Sequence, residues 1–550
     1  MSRTLIELSN LARPDPALTK KSISIRRPST TATLASQFER EDDVSVLALD
    51  RVATAIGGSK TRTAAVYTSI VLTTGISALL SGLTTVILPT MAADLDIPQG
   101  LLLWPSSIQA LTCGCSLLLS GSIADALGAR FMYLLGVVLQ SGFTLGCGLA
   151  QTTTQMIIFR GLSGIATAFC LPSAVSVITA SFTGKRRDFA FAAMGGGQPI
   201  GFSIGLTLGG VLTDSIGWRW GYHLSAILNT IVLAISWWGL PSSIDNGIAG
   251  EGVANMSWAQ KWQRVKTEID WVGAVIASAS LAMLSYVFAA ITGSQSTIRQ
   301  PSSIAMLVTA FALIPAFIFW VGRQEQLDRP ALIPNSLWRN KIFTTICLAV
   351  FLTWGTFNAL ETVLTFYFQD VQKLSATETS IRFLPAPISG ALSNVAMGLL
   401  VHRIPANWLV VVGCTLSLAA PLAMVFATPT SNYWSSGFLA NLFNPNGADA
   451  LYTISNLLIT SVFPAKTQAL AGGVFNTISQ IGKSITMALV AVLAAQVTLQ
   501  SNLEEKHSPD ALMVGYRATF WFMFACILAT ILLSVWGLRG IGTVGHKKRD

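Results

Sequence analysis

The chain has 550 residues, 52% hydrophobic and 11% charged, with a formal net charge of +9 and a mean hydropathy of +0.58. Soluble proteins carry roughly 25% charged residues, so a soluble fold of this length could not cover its apolar surface. Soluble enzymes, disordered scaffolds, disulfide-stapled secreted modules and collagen-like chains are excluded. Long apolar runs from Ala64 to Trp536 predict an all-α polytopic membrane protein in contact with the lipid bilayer.

In chain order, residues 1–63 are rich in Ser, Thr and mixed charge and predict a disordered cytoplasmic tail. Within it Arg26-Arg27-Pro28-Ser29 has the pattern of a basophilic kinase site. No apolar segment precedes Ala64, so the first span is expected to act as the insertion signal. Fourteen spans are predicted, at about 65–90, 101–120, 131–150, 157–180, 189–212, 222–241, 271–292, 303–322, 342–363, 383–401, 408–428, 434–462, 468–497 and 516–538. An even number puts both termini on one side.

Taking that side as the cytoplasm, the tail holds 10 of the 35 Lys/Arg, the other inside segments 17, and the outside loops only Arg219, Arg299, Lys373 and Lys506. That bias sets the orientation. In a membrane protein the distribution of positive charge matters more than its total, so no nucleic-acid partner is inferred. The sequon Asn255-Met256-Ser257 falls inside and is expected to carry no glycan.

A gapless shift of 277 residues superposes two glycine-marked stretches. Gly121–Arg130 falls on Gly398–Asn407, Gly195-Gly196 on Gly472-Gly473, and Gly205 on Gly482. Spans 1–6 then match spans 9–14, as internal repeats of transporters do. The expected organisation is a six-helix bundle over 64–241, an inserted pair of helices with their loops over 242–340, a second six-helix bundle over 341–538, and a cytoplasmic tail over 539–550.

Three stretches carry candidate chemistry. Gly121, Asp125, Gly128 and Arg130 lie between spans 2 and 3 and predict a gating loop. There Asp125 would accept hydrogen bonds at a helix N-terminus, and Arg130 would pair with an acid or a helix end across the bundle interface. Arg160, in Phe159-Arg160-Gly161-Leu162-Ser163-Gly164, must face protein or water, because a charge in hydrocarbon costs about 2.5–3.5 kcal/mol. Span 5 places Gly201, Gly205 and Gly209 every four residues, with Gly210 beside them, a stripe for close helix packing at the bundle interface.

These stretches resemble, in order and position, the loop signature, the span 4 arginine motif and the span 5 antiporter motif of the major facilitator superfamily. Gly217-Trp218-Arg219-Trp220-Gly221, Phe366-Tyr367-Phe368-Gln369 and Arg382-Phe383-Leu384-Pro385 are similar to its fourteen-span drug:proton antiporter branch, in a fungal, aminotriazole-resistance-like version. The resemblance covers about residues 65–540. It implies the major facilitator fold and proton-driven export of small amphipathic or toxic compounds by alternating access, from the plasma membrane or the vacuolar membrane, by a monomer.

The chain departs from that branch at three places, the first being a loop signature with Arg130 alone where the branch usually has more arginines. An aspartate usual in the first span, nine residues before its proline, is Leu80 here, and the antiporter motif's own proline is Leu206. Coupling therefore needs other carriers. Acids at membrane depth are Glu361 and Asp449, and Lys483 lies deep in span 13. A Lys483–carboxylate pair that opens when a proton or a cationic substrate arrives would serve as the switch. Gln198, Asn444, Asn476 and Gln480, with Asn441 and Asn446, would add polar groups to a substrate path. The missing aspartate also leaves open a transporter or facilitator of a small polar solute such as ammonium or borate.

No cofactor or metal is expected. The seven cysteines lie in apolar runs, the four histidines are scattered, and no phosphate-binding loop occurs. A membrane enzyme is accordingly not inferred.

Overall fold

A computed structural model describes residues 60–539 except 99–100, 183, 241–243, 245–255, 294–299, 402, 463–464 and 507. The kinase-like site, Asn255 of the sequon, and His402, His507 and His546 lie outside the described residues. The helices are α1 (Lys60–Asp94), α2 (Trp104–Leu127), α3 (Ala129–Leu149), α4 (Thr153–Ser181), α5 (Gly184–Ser215), α6 (Arg219–Gly239), α7 (Trp258–Thr267) and α8 (Trp271–Gly293). They continue with α9 (Pro301–Gln326), α10 (Lys341–Phe366), α11 (Ala376–Phe383), α12 (Pro385–Leu400), α13 (Ala406–Val425), α14 (Gly437–Val462), α15 (Ala465–Gln500) and α16 (Pro509–Gly537).

Their starts follow from local chemistry. Thr152 accepts a hydrogen bond from Gln155 N ahead of α4, and Asn340 accepts from Ile342 N and Phe343 N ahead of α10. Proline stands in the first turn of α2, α9, α12 and α16, where its missing N–H is unused. Pro385 also separates α11 from α12, since a proline there cannot continue the preceding ladder.

A helix lies over each of the fourteen predicted stretches. Among the described residues, ten helices are long and apolar enough to cross a membrane, or eleven if the bent pair α7–α8 is one span. The fourteen-span expectation is thus not reproduced by length and hydropathy alone. α14 carries Asn441, Asn444, Asn446 and Asp449, and α6 carries His223 and Asn229, which dilute apolar character.

The packed pairs of the first six helices recur in the last six. α1 packs on α5 as α10 packs on α15, α3 on α4 as α13 on α14, α2 on α4 as α12 on α14, and α3 on α6 as α13 on α16. α8 and α9 pack on each other, tied by Ser280 Oγ donating to Ala310 O at 2.8 Å, and α8 touches α2 and α15. Buried Asp270 pins this pair. Its carboxylate accepts from Gly273 N at the start of α8, from Trp320 Nε1 of α9 and from Leu332 N.

The core is shared unequally between the two ends of the molecule. At the end carrying Asp214, one cluster runs from Leu88 and Met91 of α1 through Leu360, Tyr367 and Phe368 to Met523 of α16. At the end carrying Gly128 there are three clusters, one of them Ala124, Ala126, Leu127 and Met132 with Val265 and Ile269 around the α2–α3 turn. Another holds Val66, Ile70, Tyr133, Ile178 and Leu240; the third holds Phe343, Ile346, Val410, Ile454 and Phe475.

Candidate functional site

Arg160, two turns into α4, is 2% exposed and donates from Nε to Pro105 O of α2 at 2.8 Å. Gly164 makes this possible, because a Cβ there would collide with Gln109 O and Thr112 Oγ1. Thr112 Oγ1 in turn donates to Gly161 O at 2.7 Å. Arg160 is therefore a strut between α2 and α4 whose charge still reaches the interior.

Glu361 of α10 is 2% exposed, so it is not solvated at a surface, while Lys483 of α15 and Asp449 of α14 are half-buried. Lys483 lies within electrostatic reach of Arg160 and Glu361, and Glu361 within reach of Asp449. The expected Lys483–carboxylate pair is not formed: among the described residues no acid approaches Lys483 within 4.0 Å. The axial offset explains this. Neighbouring Gly482 packs on Phe351 of α10, ten residues and about 15 Å along that helix from Glu361. Asp449 is seated by Gly390 of α12, where a Cβ would come 2.8 Å from Asp449 Oδ2.

Some of the amides brace one helix to another and others do not. Asn444 is buried and donates from Nδ2 to Phe357 O of α10 at 3.2 Å, and Asn441 donates to Arg382 O at 3.0 Å. Asn446 donates to Leu442 O and Phe443 O and accepts from Ser393 Oγ. They hold α14 to its neighbours around Pro445, a proline inside the helix. Asn444 and its neighbours thus serve packing. Asn476 bonds Gly472 O of its own helix. Gln198 and Gln480 are half-buried, and Gln480 lies against Gly114 of α2.

The predicted gating loop is mostly helix, because nothing in 121–127 breaks α2. Gly128 alone connects it to α3, at φ 110°, a conformation that needs glycine. Asp125 therefore sits in the last turn of α2 and not at a helix N-terminus, within electrostatic reach of Arg264 on α7. Arg130 does meet a helix end, but in its own bundle, donating from Nε to Leu240 O at 2.7 Å just after α6. Gly121 is not required by packing; a Cβ there would find Pro172 Cβ at an ordinary 3.7 Å.

The glycine stripe also differs from expectation. Gly201 and Gly205 rest on the backbone of Gly75 and Leu79 of α1, and Gly209 on Leu83, so the stripe packs within the first bundle. Gly210, off the stripe, reaches the other bundle, where a Cβ would meet Ser380 Oγ and Ala376 O of α11.

Around Gly210 lie the contacts that sequence reasoning missed. Asp214 Oδ2 accepts from Thr377 N at 2.7 Å at the start of α11, Ser380 Oγ donates to Leu206 O at 2.6 Å, and Gln369 Nε2 donates to Val86 O at 2.8 Å. Each joins one bundle to the other. Beside them Arg382 lies over the Phe368 and Tyr433 rings, donates to Gln372 Oε1, and accepts at its carbonyl from Tyr433 Oη. Burial pushes the Tyr433 phenol up to about 12 despite nearby Arg382, so it remains a donor near neutrality. The sequence signal was Gly210 itself, a glycine out of register with the four-residue repeat.

The sequence profile of the Major Facilitator Superfamily matches residues 70–323 and 271–487. The chain belongs to this superfamily. MFS-type transporter 1 of Pyricularia oryzae is 38% identical over 526 residues, covering 89% of this chain and 86% of that protein. The aminotriazole resistance protein of Saccharomyces cerevisiae is 25% identical over 432 residues, covering 75% and 72%. A solved peptide transporter, POT in complex with sulfate, shares the fold at TM-score 0.60 and 16% identity, over 87% of this chain and 96% of that one. These are transporters, not enzymes, and this chain is a multi-pass membrane transporter for a small molecule.

Proposed function

We propose that this transporter exports small amphipathic or toxic compounds by alternating access, exchanging them for protons. One observation carries the reading: a single core joins the bundles at the Asp214 end, and at the Gly128 end the buried side chains fall into separate clusters. Between the ends, Arg160, Glu361, Asp449 and Lys483 supply charges in an apolar setting. Binding that redistributes those charges can favour one arrangement over the other.

The positive-inside distribution makes the Gly128 end and both termini cytoplasmic, with fourteen crossings. The state described is then inward-facing, ready to load an export substrate. The plasma membrane is the proposed location. The aminotriazole resistance of the yeast relative supports a toxic substrate class.

Substrate-dependent proton release from purified protein tests coupling against Lys483→Ala and Asp449→Asn. Release lost in both variants supports it, and unchanged release in both removes it. Vesicles that show no proton-dependent flux of any amphipathic substrate sink the exporter reading. A facilitator of a small polar solute such as ammonium or borate is the second reading. It is favoured by buried, apolar Leu80 in the place of a first-span acid, and saturable flux indifferent to pH would establish it.

A further inference from the structure

The ten-residue helix α7 plays no part in the pairings of the two bundles. Its start is fixed by a capping box, with Ser257 Oγ accepting from Gln260 N and Gln260 Oε1 from Ser257 N. It is turned by 61° from the first part of α8, so it lies nearer the bilayer plane than the helix it precedes. It is held at the α2–α3 turn made by Gly128, where Val265 is buried with Ala124, Ala126, Leu127 and Met132 and Trp258 meets Phe131 of α3 edge-on at 5.5 Å. Trp271 Nε1 donates to Val265 O at 2.9 Å and locks the corner.

At about 100° per residue, Trp258, Trp262 and Val265 share one face, with Lys261 and Lys266 at its two edges. Trp258 is 65% and Trp262 57% exposed, so both indoles keep most of their surface open even though the edge of Trp258 touches Phe131. The helix contains Lys261, Arg264 and Lys266 and no acid. Arg264 is engaged by Glu268 at 2.9 Å. Among the described residues neither lysine has an ion pair, although Lys261 Nζ lies over the Trp258 ring at 5.6 Å. Indoles towards the acyl boundary with ammonium groups at either edge are the pattern of a helix lying in an anionic interface.

We infer that α7 is a binding site for anionic phospholipid headgroups in the leaflet at the Gly128 end, docked so that lipid occupancy braces the α2–α3 turn. Trp258 and Trp262 insert at headgroup level, and Lys261 and Lys266 hold the phosphates. The inference needs no particular substrate and stands apart from proton coupling.

The test uses the full chain in nanodiscs of phosphatidylcholine alone or with phosphatidylglycerol, read by amide hydrogen exchange over 258–267 and by lipids retained in native mass spectrometry. Phosphatidylglycerol is expected to slow exchange over α7 and to be retained, with salt reversing both. Lys261→Gln with Lys266→Gln should weaken retention about fivefold per lysine, roughly twenty-five-fold together. The melting temperature in phosphatidylcholine should stay unchanged. Trp262→Phe, which keeps both lysines, should retain most of the binding. Equal protection in both lipids, or a double variant that retains phosphatidylglycerol like the parent, overturns the proposal. Protection that appears without lipid and rises with protein concentration also overturns it, and assigns the face to a second copy of the chain.

Discussion

At the Asp214 end the two bundles share one apolar core and are stitched by Thr377 N to Asp214, Ser380 Oγ to Leu206 O and Gln369 Nε2 to Val86 O. At the Gly128 end each bundle keeps its own core, while α2 and α15 stay in touch midway, at Gly114 against Gln480 and Leu118 against Gly473. The difference shows what kind of closure this is. Among the described residues no ion pair joins the bundles at this end; of the three hydrogen bonds two are neutral and one is charge-assisted. Such bonds are worth about 1 kcal/mol each when neutral and 1.5–3 kcal/mol when charged. A seam of that strength opens under modest ligand binding energy, as a two-state carrier requires.

The strongest way to break the comparison is Gly210→Ala. Its new Cβ meets Ser380 Oγ and Ala376 O across the seam, and overpacking costs about 1–3 kcal/mol. The closed end should then open, by up to about a hundredfold in population. Distances between spin labels on α5 and α11 should lengthen. An unchanged distance distribution would mean the seam is not the closed gate.

Asp214→Ala comes next. The carboxylate caps α11 from the other bundle, and losing a cap costs about 1 kcal/mol. The same labels should report a shift of roughly fivefold, diminished at high salt because the group is exposed. Asp214→Asn should recover part of it, since its oxygen can still accept from Thr377 N. Ser380→Ala removes one neutral bond to Leu206 O, and about 1 kcal/mol or less is expected.

That the chain is a series of apolar helices, and that Gly201, Gly205 and Gly209 mark a close approach, is legible in the sequence, because apolar run length and glycine spacing are local properties. Partners were not. Gly201, Gly205 and Gly209 announce a smooth face, yet nothing local says that α1 covers it. Asp125 was set in a loop because glycines bound the stretch, whereas helix continues until the backbone of Gly128 leaves it. Lys483 is half-buried, and its missing pairing depends on how far α15 is offset along α10, a tertiary quantity. Asp214 was invisible for the same reason: a carboxylate at the end of an apolar run reads as a loop acid until the start of α11 is brought to it.

The smallest effect sharpens the contrast from the other end. Gly121 lies in α2 towards Gly128, and a Cβ there would sit 3.7 Å from Pro172 Cβ, an ordinary contact with its own bundle. Helical alanine is about 0.5–1 kcal/mol better than glycine. Gly121→Ala should therefore raise the melting temperature slightly and leave the α5–α11 label distances where they were. A second glycine, Gly205, is the internal control, because its Cβ would strike Leu79 O and should lower the melting temperature. If Gly121→Ala instead destabilised the protein, or moved the labels, the Gly128 end would be packed as tightly as the Asp214 end. The asymmetry between one shared core and several separate ones would then not describe the state the transporter occupies.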